Sequence, residues 1–331
     1  MIVHLTRQGA QARLRRGRLF VEYQDETLAF LPLHVIQRVV VWGNVSLTTP
    51  LLTTLAKHGI AVVFLTRRGE FRAGLYGPET PHVVLRRAQY TLTTREEWLL
   101  GLGRAFVAAK LHHQRVLLLR RRRRRSDVPE VSYALQRLED ALRELPQMTS
   151  LQAVRGLEGR SARAYFKALR ALLRPECGLQ GRTRRPPRDP ANALLSLGYT
   201  LLTRRAESAL LAVGLDPFVG FLHTMVYGRP ALALDLAEEF RPVVDGLMLA
   251  LCNARRLTPE DFQPAPRGGW QLRESSLPVF LRAFEARWAR PVRPSGYEVR
   301  RPLGHWLVAQ ARQLARRIAT REIGFEGLRF R

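Results

Sequence analysis

The chain has 331 residues, 46% of them hydrophobic, and 54 Lys and Arg against 28 Asp and Glu give it a formal charge of +26. That is enough apolar material for about two domains, and the charge points away from a near-neutral metabolic enzyme and toward a polyanionic partner, nucleic acid first. The only cysteines, Cys177 and Cys252, exclude a disulfide framework or a four-thiolate zinc site, and with no run of 18 apolar residues the reading is a cytoplasmic protein with no membrane partner.

Residues 1–85 read as β. LFVEY, TLAFLPL, VIQRVVVWG and AVVFLTR are short runs rich in branched and aromatic residues, bounded by the turn signals Gln24-Asp25, Gly43-Asn44 and Arg68-Gly69. One helix, from Thr49 to His58, stops at Gly59, a C-cap residue. No catalytic constellation occurs here, so this half reads as an assembly platform. At Gly77-Pro78-Glu79-Thr80-Pro81 the composition changes, and helical spacing then runs almost to the end. The fold class is α+β: a β domain over residues 1–85, then a larger all-helical domain over residues 86–331.

In the helical part, Thr94 and Glu97 have capping-box spacing and open a long helix through Trp98, Leu102, Phe106 and Leu117. That helix runs into six consecutive arginines, Arg120–Arg125. Such a run either tracks a DNA backbone or forms a solvated helix end, and Arg120, Arg122, Arg123 and Arg124 are the DNA-binding candidates. Further helices are expected over Glu130–Arg143, Ser150–Leu173, Asn192–Val213, Glu274–Ala289 and Arg301–Ala319. The loop Gly178–Pro190 adds Arg182, Arg184 and Arg185, tilted toward DNA by its place before the helix leading to the central segment. Residues 1–90 hold 12 basic and 5 acidic residues, against 42 and 23 beyond them, so the polyanion is expected to meet the helices.

Several chemistries drop out. No Gly-Lys phosphate loop exists, Gly101-Leu102-Gly103 lacks a third glycine and a preceding strand, and there is no G-x-S-x-G elbow. His112 and His113 are helix neighbours pointing to different faces, poor partners at one metal.

The organising segment is Leu215–Val244. Asp216-Pro217 reads as N-cap and first helical residue of a short helix carrying His223. Gly228-Arg229-Pro230 reverses the chain, and a second helix carries Asp235, Glu238, Glu239 and Arg241. Asp235 and Glu238, three apart, share a helical face. One His and two acids on adjacent helices can converge on a divalent metal. Each also has an ordinary reading: an acidic first turn, a core histidine, a Glu238–Arg241 pair. Glu158, in LEGRSARAYFKAL beside Gly159, could admit a ligand to the backbone; taken alone it reads as a surface glutamate beside Arg155.

The whole string carries more than its parts. QG…LFVEY…VWGNVSLTT, EGRSARAYF, TRRPPRDPANALLSLGYTLL, AVGLDPFVGFLH and GRPALALDLAEEFRPVVD closely resemble the CRISPR-associated protein one family, the integrase and endonuclease of spacer acquisition, over nearly the whole length. The resemblance implies a catalytic helical domain, a homodimer built largely through the β domain, and CRISPR-associated protein two as partner. It places the metal ligands on Glu158, His223 and Glu238, with Asp235 either a further ligand or a support. The implied cofactor is Mg²⁺ or Mn²⁺. The implied substrates are double-stranded DNA, the prespacer and the CRISPR repeat. The 3′-hydroxyl of the incoming fragment attacks a phosphodiester at the repeat boundary and the repeat strand's own 3′-oxygen leaves, an exchange that needs no ATP. Two other readings compete: a structure-specific nuclease for branched DNA in repair, and a non-catalytic, Arg-rich DNA scaffold.

Overall fold

The computed structural model describes residues 1–77, 82–123, 128–183, 186–266 and 268–330. The chain divides into two compact units, Met1–Pro81 and His82–Arg331.

In the first unit β1 (Ile2–Leu5), β5 (Arg38–Trp42), β7 (Ala61–Leu65) and β8 (Phe71–Leu75) form one sheet. Its first three strands are parallel and β8 is antiparallel to β7. The second sheet has the order β4 (Glu26–Pro32), β3 (Arg18–Tyr23), β2 (Gln11–Arg15), β6 (Ser46–Leu47). Two tight hairpins build it: Arg16-Gly17 and Gln24-Asp25 all have positive φ, the backbone that two-residue turns between right-twisted strands require. α1 (Thr49–Lys57) ends before Gly59 at φ +68°, as expected from the sequence. Alternate strand residues Val39, Val41, Val62, Leu19 and Val21 form the core with Leu51 and Leu55 of α1, the period-two pattern of a half-buried strand. The sequence reading missed β1, β2, β6 and β8. Arginines interleave the apolar positions of β2, and exposed residues make up most of β8, so neither shows a plain apolar run.

The second unit is mostly helical: α2 (Val83–Leu92), α3 (Glu96–Arg122), α4 (Pro129–Glu144), α5 (Leu151–Leu172), α6 (Pro190–Ala212), α7 (Ala231–Glu238), α8 (Arg241–Asn253), α9 (Leu277–Ala289) and α10 (Leu303–Thr320). It is not all helix. Two small hairpins interrupt it, β9 (Phe262–Pro264) with β10 (Trp270–Leu272), and β11 (Pro291–Val292) with β12 (Arg301–Pro302). α3 is the axis, packing on α4, α5, α7 and α8 through a stripe that includes Trp98, Leu102, Phe106 and Leu118. Ser150 and Asp189 start α5 and α6 by accepting the backbone N–H three residues on, from Ala153 at 3.2 Å and Asn192 at 2.7 Å, relieving an orphan donor of each first turn.

Three local expectations are corrected. Thr94 does not cap α3: its hydroxyl donates back to the Thr91 carbonyl, and Arg95 takes the N-cap position without a side-chain bond. The expected domain division after residue 85 falls inside α2, a helix the sequence reading did not see. The Pro78–Pro81 stretch lies outside the described residues.

The third correction matters most. Residues 215–229 form no helix. Asp216 instead makes a local turn, its carboxylate accepting from Phe218 N–H at 2.8 Å, and the Pro217 carbonyl accepts the first N–H groups of α7, from Leu232 and Ala233. The next backbone donors in the loop, those of Phe221, Leu222 and His223, are taken by Asp235, so none is left to build helical turns.

Candidate active site

His223 sits on that loop, which three helices hold in place. From α2, fully buried Gln89 donates to the Asp216 and Val219 carbonyls, both at 2.8 Å, and accepts from Asp216 N–H. From α5, Arg155 donates to the Leu222 carbonyl. From α7, Asp235 receives four bonds: Phe221 and Leu222 N–H on Oδ2 at 2.7 and 2.9 Å, His223 N–H and Nδ1 on Oδ1 at 2.8 and 2.7 Å. Gly220 makes that approach feasible, because a Cβ there would stand 2.8 Å from both Ala231 and Asp235 Oδ2.

Asp235 is fully buried and wholly surrounded by donors. A carboxylate can only accept, so the His223 proton must lie on Nδ1, and Nε2 is left facing the site with a lone pair. Opposite it, 3.5 Å away, is Glu238 Oε1. Two acceptors facing each other call for a cation or proton between them.

Glu238 ends α7, three residues and one turn from Asp235, so one helical face supplies both acids. Arg241 does not continue that helix. It is the first residue of α8, after a break at Glu239-Phe240, and its guanidinium lies 3.0 Å from Glu238 Oε1. Glu158 comes from α5. Lys110, buried on the axial helix α3, brings the acids together, with its ammonium 2.5 Å from Glu158 Oε1 and 2.7 Å from Glu238 Oε2. Burial opposes the ionisation of Glu238, but Arg241 and Lys110 outweigh it and hold the carboxyl down at about 2. Burial likewise opposes charge on Lys110, and Glu238 and Glu158 raise it all the same. The Lys110 contact to Glu238 Oε2 is close but poorly aligned: that oxygen is buried without a hydrogen-bond partner. Among the described residues, no three His, Cys, Asp or Glu side chains form a ready cation cage; the lysine occupies the place between the glutamates.

The structure thus brings together Glu158, His223 and Glu238, and holds Asp235 behind them with both oxygens engaged. Lys110 was missed from the sequence. Its signal was present: it is one of only three lysines, Lys57, Lys110 and Lys167, in a chain that otherwise uses arginine, and it lies on a buried helical stripe. Neighbouring Glu239 turns away from the site. Burial raises its carboxyl to about 8, and it accepts from Gln310 and from Leu328 N–H, tying down the C-terminal segment. His113 does similar work, accepting from Phe330 N–H and bonding the Glu239 carbonyl.

The arginine candidates separate. Arg120 and Arg122 are exposed on the last turn of α3, and Arg123 follows as its C-cap. Arg182 is turned inward, donating to Asn192 Oδ1 at 2.9 Å and Ser196 Oγ at 3.2 Å and lying over the Tyr199 ring. Arg124, Arg125, Arg184 and Arg185 lie outside the described residues.

Comparisons with known proteins agree with the resemblance read from the sequence. The family model described as CRISPR associated protein Cas1 matches residues 3–286. The chain is 39% identical over 318 residues to a CRISPR-associated endonuclease Cas1 of Thermus thermophilus, covering 95% of this chain and 91% of that one. Among solved structures, a casposase bound to integration product superposes with a TM-score of 0.84 at 22% identity, covering 98% of this chain and 92% of that one. A Cas6-RT-Cas1–Cas2 complex also gives 0.84, at 23% identity, covering 99% of this chain and 36% of that one. At such identities the two structures speak for the fold alone.

Proposed function

The chain belongs to the Cas1 family of CRISPR-associated proteins, and from that premise we propose that Glu158, His223 and Glu238 form its strand-transfer centre. It is an integrase and endonuclease of CRISPR adaptation, acting on DNA. The observation that carries the site assignment is the placing of Glu238 of α7 between its two fellow candidates: it faces His223 Nε2 of the anchored loop at 3.5 Å and shares the buried Lys110 ammonium with Glu158 of α5.

The family is metal-dependent, and the residues present fit a hard divalent ion, Mg²⁺ or Mn²⁺. Two carboxylates and an imidazole whose other nitrogen is fixed by a carboxylate are a suitable donor set, and Glu238 Oε2 is buried with an unused lone pair. When bound, the ion supplies Lewis-acid stabilisation of charge on the phosphoryl oxygens. The chain's own residues do the rest. Asp235 fixes the His223 tautomer and aims Nε2 into the site. Lys110 and Arg241 keep Glu238 ionised at any working pH. The 3′-hydroxyl of the incoming strand attacks the repeat phosphodiester, one P–O bond forms as another breaks, and the repeat strand's 3′-oxygen departs.

The expected result is joined product when purified protein, Mn²⁺, a repeat-bearing supercoiled plasmid and a short duplex with 3′-hydroxyl ends are combined. The same duplex with 3′-deoxy ends should give none. Nicking that ignores the donor terminus would make water the nucleophile and the protein a branched-DNA nuclease; binding without either product would make it a scaffold.

The prespacer and repeat duplexes are the proposed substrates, in the cytoplasm, with CRISPR-associated protein two as partner; a Cas1–Cas2 assembly of the same fold supports this. No described helix is long and apolar enough to cross a membrane. A homodimer through the β domain is part of the same proposal. β4 is a sheet edge with unpaired backbone groups, and Leu28 and Phe30 on it are 42% and 41% exposed. Leu28→Glu with Phe30→Glu should convert dimer to monomer in sedimentation velocity. An unchanged dimer would move the interface elsewhere.

A further inference from the structure

Between buried Leu222 and buried Pro230, the loop that carries His223 rises into a short exposed tip, Thr224–Gly228. The tip ends in a tight turn. Arg229 N–H donates to the Val226 carbonyl at 3.0 Å, and Gly228 has φ +72°, the left-handed backbone that a type II turn places at its third residue. Both feet of the tip are fixed. Asp235 holds His223 N–H, and the Pro230 carbonyl accepts the N–H of Leu234 in the first turn of α7. The tip is a braced point that starts at His223, not a loose length of chain.

What the tip exposes is apolar. Met225 and Val226 are 53% and 56% exposed, and Tyr227 lies wholly in solvent. A solvated turn folds as well on Ser, Asn or Asp, so the fold gives no reason for three apolar side chains in a row. They gain only from a partner with an apolar face, and the centre behind them says which. The side chains of His223 and Glu238 are 18% and 4% exposed, so the reacting phosphodiester must leave the line of a straight duplex to reach them. Opening one base step lets the backbone bend there. Apolar and aromatic side chains can fill the opened step and replace part of the lost stacking.

We propose that residues 225–227 are a wedge that opens the base step beside the phosphodiester under attack, with Met225 and Tyr227 packing against the unstacked bases. The inference rests on the reading of the chain as a DNA-joining enzyme, and it adds how a duplex target is bent into a recessed centre. One test uses no joining. Full-length protein, in chelator, is bound to a branched duplex that mimics the joined product and carries 2-aminopurine beside the junction. The wild type should raise the fluorescence of that base by about threefold or more as the step unstacks. Met225→Ser/Tyr227→Ser should bind within about threefold of wild type yet give about half of that rise or less. The substitutions fall on exposed side chains, so thermal unfolding should be unchanged. Tyr133→Ser, at another exposed aromatic on α4, should behave as wild type. In joining with Mn²⁺, the double variant should be about tenfold slower on a fully paired target, and within about twofold of wild type on a target mismatched at that step, where opening costs least. A full fluorescence rise in the double variant, no recovery on the mismatched target, or an equal loss in Tyr133→Ser would overturn the wedge. Joining by a folded Glu158→Ala protein would instead overturn the catalytic assignment and leave the fluorescence result standing.

Discussion

Replacing Glu158, His223 or Glu238 by Ala is expected to abolish DNA joining, by at least about a thousandfold, equivalent to about 4 kcal/mol of lost transition-state stabilisation. DNA affinity should stay within a few-fold of wild type, because binding rests on arginines spread over the helical unit. The three variants will differ in stability, and the structure says how. Glu158 is partly exposed and, among the described residues, its ion pair is with the Lys110 ammonium alone, so its loss is mild. Glu238 is buried between Lys110, Arg241 and His223, and Ala there leaves two buried cations short of a partner, at a cost of about 3–5 kcal/mol. Glu238→Gln keeps the packing and is the cleaner probe of chemistry. Thermal unfolding run beside the joining assay separates the effects. Full joining by a folded Glu158→Ala or His223→Ala protein would refute the site.

Asp235→Ala is expected to be as damaging for a different reason. It removes the acceptor of four hydrogen bonds, three from backbone N–H groups that have no other partner in the loop. Bonds to a charged acceptor are worth more than neutral ones, and orphaned buried donors are expensive; a loss of about 4 kcal/mol or more is expected. Asp235→Asn should rescue little. Its amide N–H₂ would face either the N–H pair of Phe221 and Leu222 or the N–H and Nδ1 of His223, donor against donor. Both variants should therefore lose joining through a displaced His223, visible as greater protease sensitivity at residues 215–229. Wild-type stability in Asp235→Ala would contradict the anchoring role.

Much of this was legible in the chain. The β half showed itself where both faces of a strand are apolar, as in RVVVW and AVVFL, and hid where arginines interleave, as in QARLR. The three proposed ligands were reachable because EGRSARAYF, GFLH and DLAEEF are distinctive strings. The geometry behind them was not. Asp216-Pro217 looks like a helix start, and only the tertiary claim of Asp235 on the next N–H groups decides otherwise. Asp235 and Glu238 share a face in any reading, yet which acid points at the loop and which at the site depends on Gly220 admitting the carboxylate. Lys110 looked like one more helical cation until α3, α5 and α7 were packed together.

The most direct measurement of the central claim is calorimetric titration of Mn²⁺ into metal-free protein, without DNA. The wild type should bind one ion per protomer at this cluster. Glu158→Gln and Glu238→Gln should weaken that binding by about a hundredfold or more, while Arg282→Gln, on an exposed face of α9, binds as wild type. Undiminished Mn²⁺ binding in both glutamine variants would mean that Glu158 and Glu238 hold only Lys110, and that the metal of this enzyme is bound elsewhere.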